Sequence, residues 1–433
     1  MRKFTKLLTL ISLTFISLNA FSQANTSSPY SAYGVGALVP QTFAQGKGMG
    51  NIAAGLRTPD NINISNPASY SSLVMTNIDL GLHGGVDQLR TSALKENNYN
   101  FSLDHFAIGF PMSRKMGGSL GIIPFSTSGY NVGRDTTFKK VDTVAGKNSL
   151  FGEGGYSQVY FGTAYQLAKN FSVGVNIGYL FGNIKRTTST ILNDPYSYNS
   201  RTTLSTSASG FLVKYGLQYS IIPSAEKRWT IGYFGSVKTK VNTKQSYVFD
   251  RYLVSTSTGD ITPVDTIAYS NDVEGNFVLP TSHTLGFTFN KANKLIAGFD
   301  IDYQKWTQYT ENGQSRNFKD MYGVRLGAQY TPDIYSVSSY MKRIEYRAGF
   351  NYYKSYLNLR GHDINEMDLT LGVGLPMSSQ FFGGLLYTGS KLNLGVQFGT
   401  RGTTSNGLVK ERYANLYLGF TLNDRWFIKR KFD

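Results

Sequence analysis

Phe171-Ser172-Val173-Gly174-Val175-Asn176-Ile177-Gly178-Tyr179-Leu180-Phe181 is the stretch that decides the fold. Phe171, Val173, Val175, Ile177, Tyr179 and Phe181 fall on one face of an extended chain, with Ser172, Gly174, Asn176 and Gly178 on the other. A period of two is the signature of a strand with one apolar face. It returns in Leu392, Leu394, Val396 and Phe398, set against Asn393, Gly395, Gln397 and Gly399. It returns again in Met367, Leu369, Leu371, Val373 and Leu375, in Leu285, Phe287 and Phe289, and in Leu416, Leu418, Phe420 and Leu422. In water such a face packs a core; in a closed transmembrane barrel it faces lipid. Periodicity alone does not separate the two.

The connections do. Working outward, about fourteen such stretches are expected, at 77–90, 98–110, 115–130, 155–168, 171–188, 199–220, 228–248, 273–289, 294–307, 321–331, 343–357, 366–375, 382–400 and 411–423. The clearest links alternate. Short ones at 112–114, 168–170, 223–227, 290–293 and 377–381 precede long ones at 131–154, 185–198, 249–272, 308–320 and 401–410. One link, 333–342, is longer than its place predicts. Outer-membrane barrels have short periplasmic turns and long outward loops. The expectation is an all-β fold, an antiparallel transmembrane β-barrel of about fourteen strands. An even count puts the N- and C-termini on the periplasmic side of the outer membrane of a Gram-negative bacterium, with multiple passes between. Closure removes every sheet edge from lipid, where unpaired backbone groups are costly.

The N-terminus reads as an export signal. Arg2, Lys3 and Lys6 precede an apolar run from Leu7 to Leu18, too short to span a bilayer, and Ala20 and Ser22 are small residues suited to cleavage. With no cysteine in the chain, disulfides and thiolate metal sites are excluded. His83, His105, His283 and His362 share no metal-site spacing, so no cofactor or metal is expected. Glycine (46), tyrosine (30) and phenylalanine (28) outweigh the charged residues in a way that suits curved, lipid-facing strands. The formal charge is +16, of which the three signal cations supply three, leaving +13 on the mature chain. These cations are dispersed along strands and loops, which argues against nucleic acid and for membrane lipids and lipopolysaccharide as partners.

Residues 24–72 do not alternate. They are rich in Gly, Ser, Asn, Pro and Ala, and include Gly46-Lys47-Gly48-Met49-Gly50 and Ile62-Asn63-Ile64-Ser65-Asn66-Pro67-Ala68. No strand precedes the glycines and no Gly-Lys-Ser/Thr follows, so a phosphate loop is not indicated. A periplasmic leader and a compact plug inside the barrel are both open readings.

The glycine motif followed by Asn-Pro-Ala, ahead of about fourteen strands, resembles the FadL-like (long-chain fatty-acid transporter) family of outer-membrane barrels. Gly48, Gly50, Asn66, Pro67 and Ala68 carry the resemblance, together with the ending Leu416 to Leu422 and Asn423-Asp424-Arg425-Trp426-Phe427. It implies a signal over 1–22, an N-terminal hatch over 23–75 and a barrel over 76–433, with a kinked third strand that opens the wall sideways. Two departures stand: Phe432 is followed by Asp433, and no motif marks the family's fatty-acid pocket.

The third stretch offers a physical reason for a kink. Alternation breaks at Ile122-Ile123, and Pro124 lacks the N–H that a ladder needs. Gly121 and Gly129 flank it, and glycine permits bulges. Pro124 marks either a kink or the rim where the strand ends. The candidate lateral opening is Gly121, Pro124, Phe125 and Gly129, gated by Gly48, Gly50, Asn66, Pro67 and Ala68. The implied function is passive uptake of hydrophobic, fatty-acid-like compounds by hatch-gated lateral diffusion. The alternative is a non-transporting barrel acting as a structural or accessory subunit, or shuttle, of a protein secretion machine, with an outer-membrane protein as partner. Enzyme chemistry is not expected: Asp104-His105 has no paired serine, and Asp300 and Asp302 are expected to pair with lumenal Lys or Arg.

Overall fold

The computed structural model describes residues 27–139, 143–194, 197–254, 261–382, 385–424 and 426. The expected signal over 1–22, and Arg425, Phe427, Phe432 and Asp433 of the ending, lie outside these residues. The strands are β1 (Thr76–Arg90), β2 (Lys95–Ser113), β3 (Met116–Lys139), β4 (Thr143–Ala168), β5 (Phe171–Leu192) and β6 (Asn199–Ser224). Next come β7, in the two pieces Lys227–Ser236 and Thr239–Val254, and β8, in the two pieces Ile261–Leu279 and Ser282–Lys291. They are followed by β9 (Leu295–Gln304), β10 (Met321–Tyr330), β11 (Glu345–Leu359), β12 (His362–Phe382), β13 (Leu385–Arg401) and β14 (Lys410–Asp424).

Each strand pairs antiparallel with the next, and β14 closes on β1 from Lys410↔Arg90 to Asp424↔Thr76. The result is a closed barrel of fourteen strands. Its two faces identify its solvent. Asp300, Arg325, Asn351, Asp368 and Gln397 point inward and are buried, while Phe299, Leu326, Leu369 and Phe398 beside them point outward and are exposed. A water-soluble sheet would bury the second set. An apolar outside around a polar inside is the pattern of a lipid-embedded barrel.

The two ends differ as the alternation predicts, with one correction. Long links were expected at 131–154 and 249–272, but most of both segments is strand. β3 and β4 stay paired from Asn131↔Phe151 to Lys139↔Thr143, and β7 and β8 from Gln245↔Val273 to Val254↔Ile261. Runs such as Gly133-Arg134-Asp135-Thr136-Thr137 lack a clean apolar face, which hid them from periodicity; exposed to water on both sides, they need none. These two links are therefore tall hairpins. The over-long link at 331–344 is real and contains a helical turn, Tyr340–Arg343.

The N-terminal segment lies inside. Its Ala44–Lys47 helical turn packs on β12, β13 and β14, and its Pro67–Ser72 turn packs on β2, β3, β4, β5 and β6. Gly50 abuts Leu326 and Phe350 of β10 and β11, and Gly55 abuts Thr230 and Thr288 of β7 and β8. A segment that touches opposite walls of a closed barrel can do so only from the lumen.

Candidate functional site

The ladder between β2 and β3 runs from Ser113↔Met116 to Phe106↔Ile122 and stops. Above that level, among the described residues, Lys95–His105 pairs only with β1, and Ile123–Lys139 pairs with β4 along its other edge. The wall therefore has a side gap. Pro124 lies within β3, not at its rim, and the β3–β4 register shifts between Pro124 and Ser126. The prolyl ring and the bulge turn this edge away from β2. Gly121 sits at the foot of the gap, where a Cβ would meet the Phe106 carbonyl oxygen at 2.4 Å. Outward-facing Tyr99, Phe101 and Leu103 on the free side of β2 are exposed, so the gap opens within the apolar belt.

The N-terminal segment borders the gap. Ala37 and Leu38 pair as a short strand with Thr127 and Ser126 of β3. Val39 N donates to the Phe125 carbonyl at 3.1 Å. The Gln41 amide donates to the Pro124 carbonyl at 2.9 Å and accepts from the Gln158 amide at 2.6 Å. Gly129 N donates to Ser31 Oγ at 3.0 Å. The strip Ala37–Gln41 was not singled out from sequence. Its one signal is an apolar run, Ala37-Leu38-Val39, ended by Pro40.

A buried cluster fastens the same segment to the gap's foot. The Lys47 ammonium pairs with the Asp104 carboxylate and lies 4.4 Å from the Tyr417 ring centroid. Phe43 stacks on His105 at 3.8 Å. His105 Nδ1 is 2.8 Å from Asp104 and Nε2 is 2.5 Å from Asp79, which also accepts from Thr421 at 2.5 Å. Asp104 and His105 thus tie β2 to Lys47 of the N-terminal segment and to Asp79 of β1.

The sequence-selected hatch residues sit elsewhere in the lumen. Asn66 caps the Pro67–Ser72 turn by accepting from Ala68 N at 3.1 Å. Its amide donates to the Ala54 carbonyl at 2.7 Å and to Leu217 of β6 at 3.3 Å. Pro67 and Ala68 lie against Gly174 of β5. Gly48 lies against Gly372, and Gly50, at φ +62°, leaves no room for a Cβ, which would come within 2.1 Å of the Leu326 carbonyl. These five residues shape and seat the plug; Ala37–Gln41 and Lys47 meet the gap. Asp300 and Asp302 do pair with a cation: Arg325 of β10 reaches Asp302 at 2.7 Å and Asp300 at 3.3 Å.

Between plug and wall is a cavity of about 410 Å³. It touches both sides of the gap, at Asn100, Ser102, Leu103 and Asp104 on β2 and at Pro124, Phe125 and Thr127 on β3. One part of its wall is apolar, formed by Leu38, Val39, Phe125, Leu212, Phe234, Leu279, Trp306 and Leu357. The other part is ionic. Lys47, Arg325 and Arg401 each face a carboxylate partner there. Lys214 of β6 is the one lining Lys or Arg for which no ion pair or hydrogen bond is found among the described residues. A second groove, about 470 Å³, lies outside, formed by Phe106, Leu120, Ile122, Val159, Phe161, Ile177, Tyr179 and Phe211. Phe106 and Ile122, the last paired residues below the gap, are part of it. The cavity thus borders the gap from inside, and the outer groove begins at its foot.

Compared with known proteins, the chain matches one family model, described as BamG, over residues 4–433. The chain belongs to the BamG family. No curated protein sequence matches it. This BamG-family chain shares its fold with solved outer-membrane channels. The Ralstonia pickettii toluene transporter TbuX is 15% identical, with 88% of this chain and 98% of that one covered at a TM-score of 0.58. The Pseudomonas putida toluene transporter TodX is 13% identical, with 90% and 99% covered at 0.56. A Pseudomonas aeruginosa FadL homologue is 11% identical, with 89% and 99% covered at 0.56. The FadL-like architecture expected from the sequence is the one observed.

Proposed function

We propose that the protein is an outer-membrane barrel that passes hydrophobic compounds sideways into the bilayer, its N-terminal segment acting as the hatch. One observation carries the reading: the plug-side cavity reaches both unpaired edges of the wall. A compound enters from the long-hairpin end, rests against Leu212, Phe234 and Trp306, and leaves past Phe125 when Ala37–Gln41 releases β3. Burying an apolar solute in this cavity is favourable by roughly 25 cal/mol per Å² of apolar surface removed from water. Leaving into lipid needs no energy source, because acyl chains offer the same solvation. Both termini lie on the periplasmic side in this reading. Lys214 gives the site a preference for a fatty-acid-like anion.

The test is binding of dodecanoate and dodecanol to the purified protein, read by quenching of Trp306 against a Trp306→Phe control. Both are expected to bind. Lys214→Met weakens dodecanoate by about tenfold, about 1.4 kcal/mol, and leaves dodecanol unchanged. Binding of neither defeats the uptake reading.

The ionic half of the cavity favours a second reading, a non-transporting accessory barrel of a secretion machine. Buried pairs at Lys47–Asp104, Lys391–Glu345 and Arg325–Asp302 pin the lumen and plug. Mass spectrometry of molecules co-purified with the chain separates the two. A bound apolar compound supports uptake; a protein partner without one supports the accessory role.

A further inference from the structure

The ionic part of the cavity wall is uneven in charge. Where β12, β13, β14 and β1 adjoin, these strands give it four carboxyl groups, Glu366, Asp368, Glu411 and Asp87, and one cation, Arg401. Arg401 lies 2.8 Å from Glu366 and 3.5 Å from Glu411. Asp368 accepts from the Tyr413 hydroxyl. Asp87 has no ion pair among the described residues; it accepts from the Asn100 amide at 2.8 Å and from the Ser27 backbone N–H. A shortage of cations alone marks no site, but an orphaned acceptor stands beside this one. Asn100 of β2 is 7% exposed, and its Oδ1 has no hydrogen-bond partner among the described residues. Buried acceptors are normally paired. The amide cannot turn over to relieve it: a carboxylate accepts only, so Nδ2 must face Asp87 and Oδ1 must face away. Oδ1 faces the space over Gly85, where a Cβ would lie 2.9 Å from it and 2.3 Å from Asn415 Oδ1 of β14. Asn415 is oriented in the same way, its Nδ2 donating to Gln397 at 3.1 Å. Two carbonyl oxygens thus converge over a residue without a side chain. Gly85 and Asp87 are two apart on β1 and share its inward face.

We propose that Asp87, Asn100 and Asn415 form a subsite for a primary ammonium group carried on an apolar chain. An ammonium has three N–H donors and no acceptor, which matches three oxygens and no free donor. Its charge offsets the excess of carboxylates, and one N–H satisfies Asn100 Oδ1. The apolar chain lies against the rest of the same cavity, whose wall includes Leu38, Phe125 and Trp306. A metal ion fits less well, because no group of three His, Asp or Glu side chains among the described residues could hold one. A quaternary ammonium fits less well too, having charge but no N–H to give. The subsite rests on the cavity taking ligands, as the uptake reading has it. It adds a second class of head group to the anion that Lys214 favours on β6.

The test is calorimetric titration of the purified full chain with dodecylammonium, dodecyltrimethylammonium and dodecanol near neutral pH. The expected result is that dodecylammonium binds about tenfold more tightly than either of the others. Asp87→Asn keeps the size of the side chain, and Gly85→Ala sets a methyl group against both carbonyl oxygens. Each should remove the preference for dodecylammonium and leave dodecanol binding unchanged, which also shows that the variant is folded with its cavity intact. Equal binding of the three compounds by the native chain overturns the subsite and leaves the uptake reading standing. Equal binding of the two cations overturns it as well, as does a preference that survives both substitutions. Binding of none of the three defeats the uptake reading and the subsite together.

Discussion

Asp104 decides how firmly the plug is held at the foot of the gap. Its carboxylate takes the Lys47 ammonium and the His105 ring, and all three are buried. Removing one member of a buried pair leaves the other charge without compensation and costs about 3–5 kcal/mol. Asp104→Asn should therefore loosen the segment around Lys47 while the barrel stays closed. Faster backbone hydrogen exchange over 37–51, with exchange in β10–β13 unchanged, is the expected outcome. Sequence reading reached Asp104-His105 as an adjacent pair but could not reach Lys47 or Asp79, because both come from distant segments. Asp300 and Asp302 were more legible. Residues two apart in a strand share a face, and Arg325 is the direct cross-strand partner of Asp300.

At the scale of elements, the break in alternation in β3 coincides with the end of its pairing to β2. A proline without a donor and a broken alternation pointed to 122–124, and pairing with β2 ends at Ile122. What remained hidden was the neighbour: Ala37–Gln41 lies some ninety residues away in sequence and carries no motif. Pro124→Val should restore a donor and a β-branched side chain to this strand. The expected outcome is slower hydrogen exchange over 100–105 and 123–127 as β2–β3 pairing extends, with uptake of a hydrophobic probe falling in step. The tall hairpins were missed as strands because exposure on both faces erases the period of two, although their lengths were legible as long links.

For the whole molecule, strand number and plug are coupled. Barrels wider than about eight strands leave an interior that side chains alone do not fill. Here the N-terminal segment fills much of it, tied to opposite walls by Asp300 at Ala53, Gln218 at Ala54 and Lys391 at Asp60. Excision of residues 27–75 should leave a barrel that conducts ions. Planar-bilayer recordings should show steady channels in that variant and none in the full chain. The barrel class followed from local alternation and link lengths, which are strictly sequence properties. The cavity did not, because its wall draws single residues from many strands.

The central claim, that solutes leave through the wall when Ala37–Gln41 parts from β3, has a direct test. Ala37 and Thr127 are cross-strand partners, and antiparallel partners lie at a Cα separation that a disulfide can bridge. The chain has no cysteine of its own, so Ala37→Cys/Thr127→Cys introduces a single defined lock. Uptake of a radiolabelled hydrophobic compound is measured in cells carrying the oxidised and the reduced lock. The account predicts loss of uptake when oxidised and its return on reduction; equal uptake in both states would contradict it.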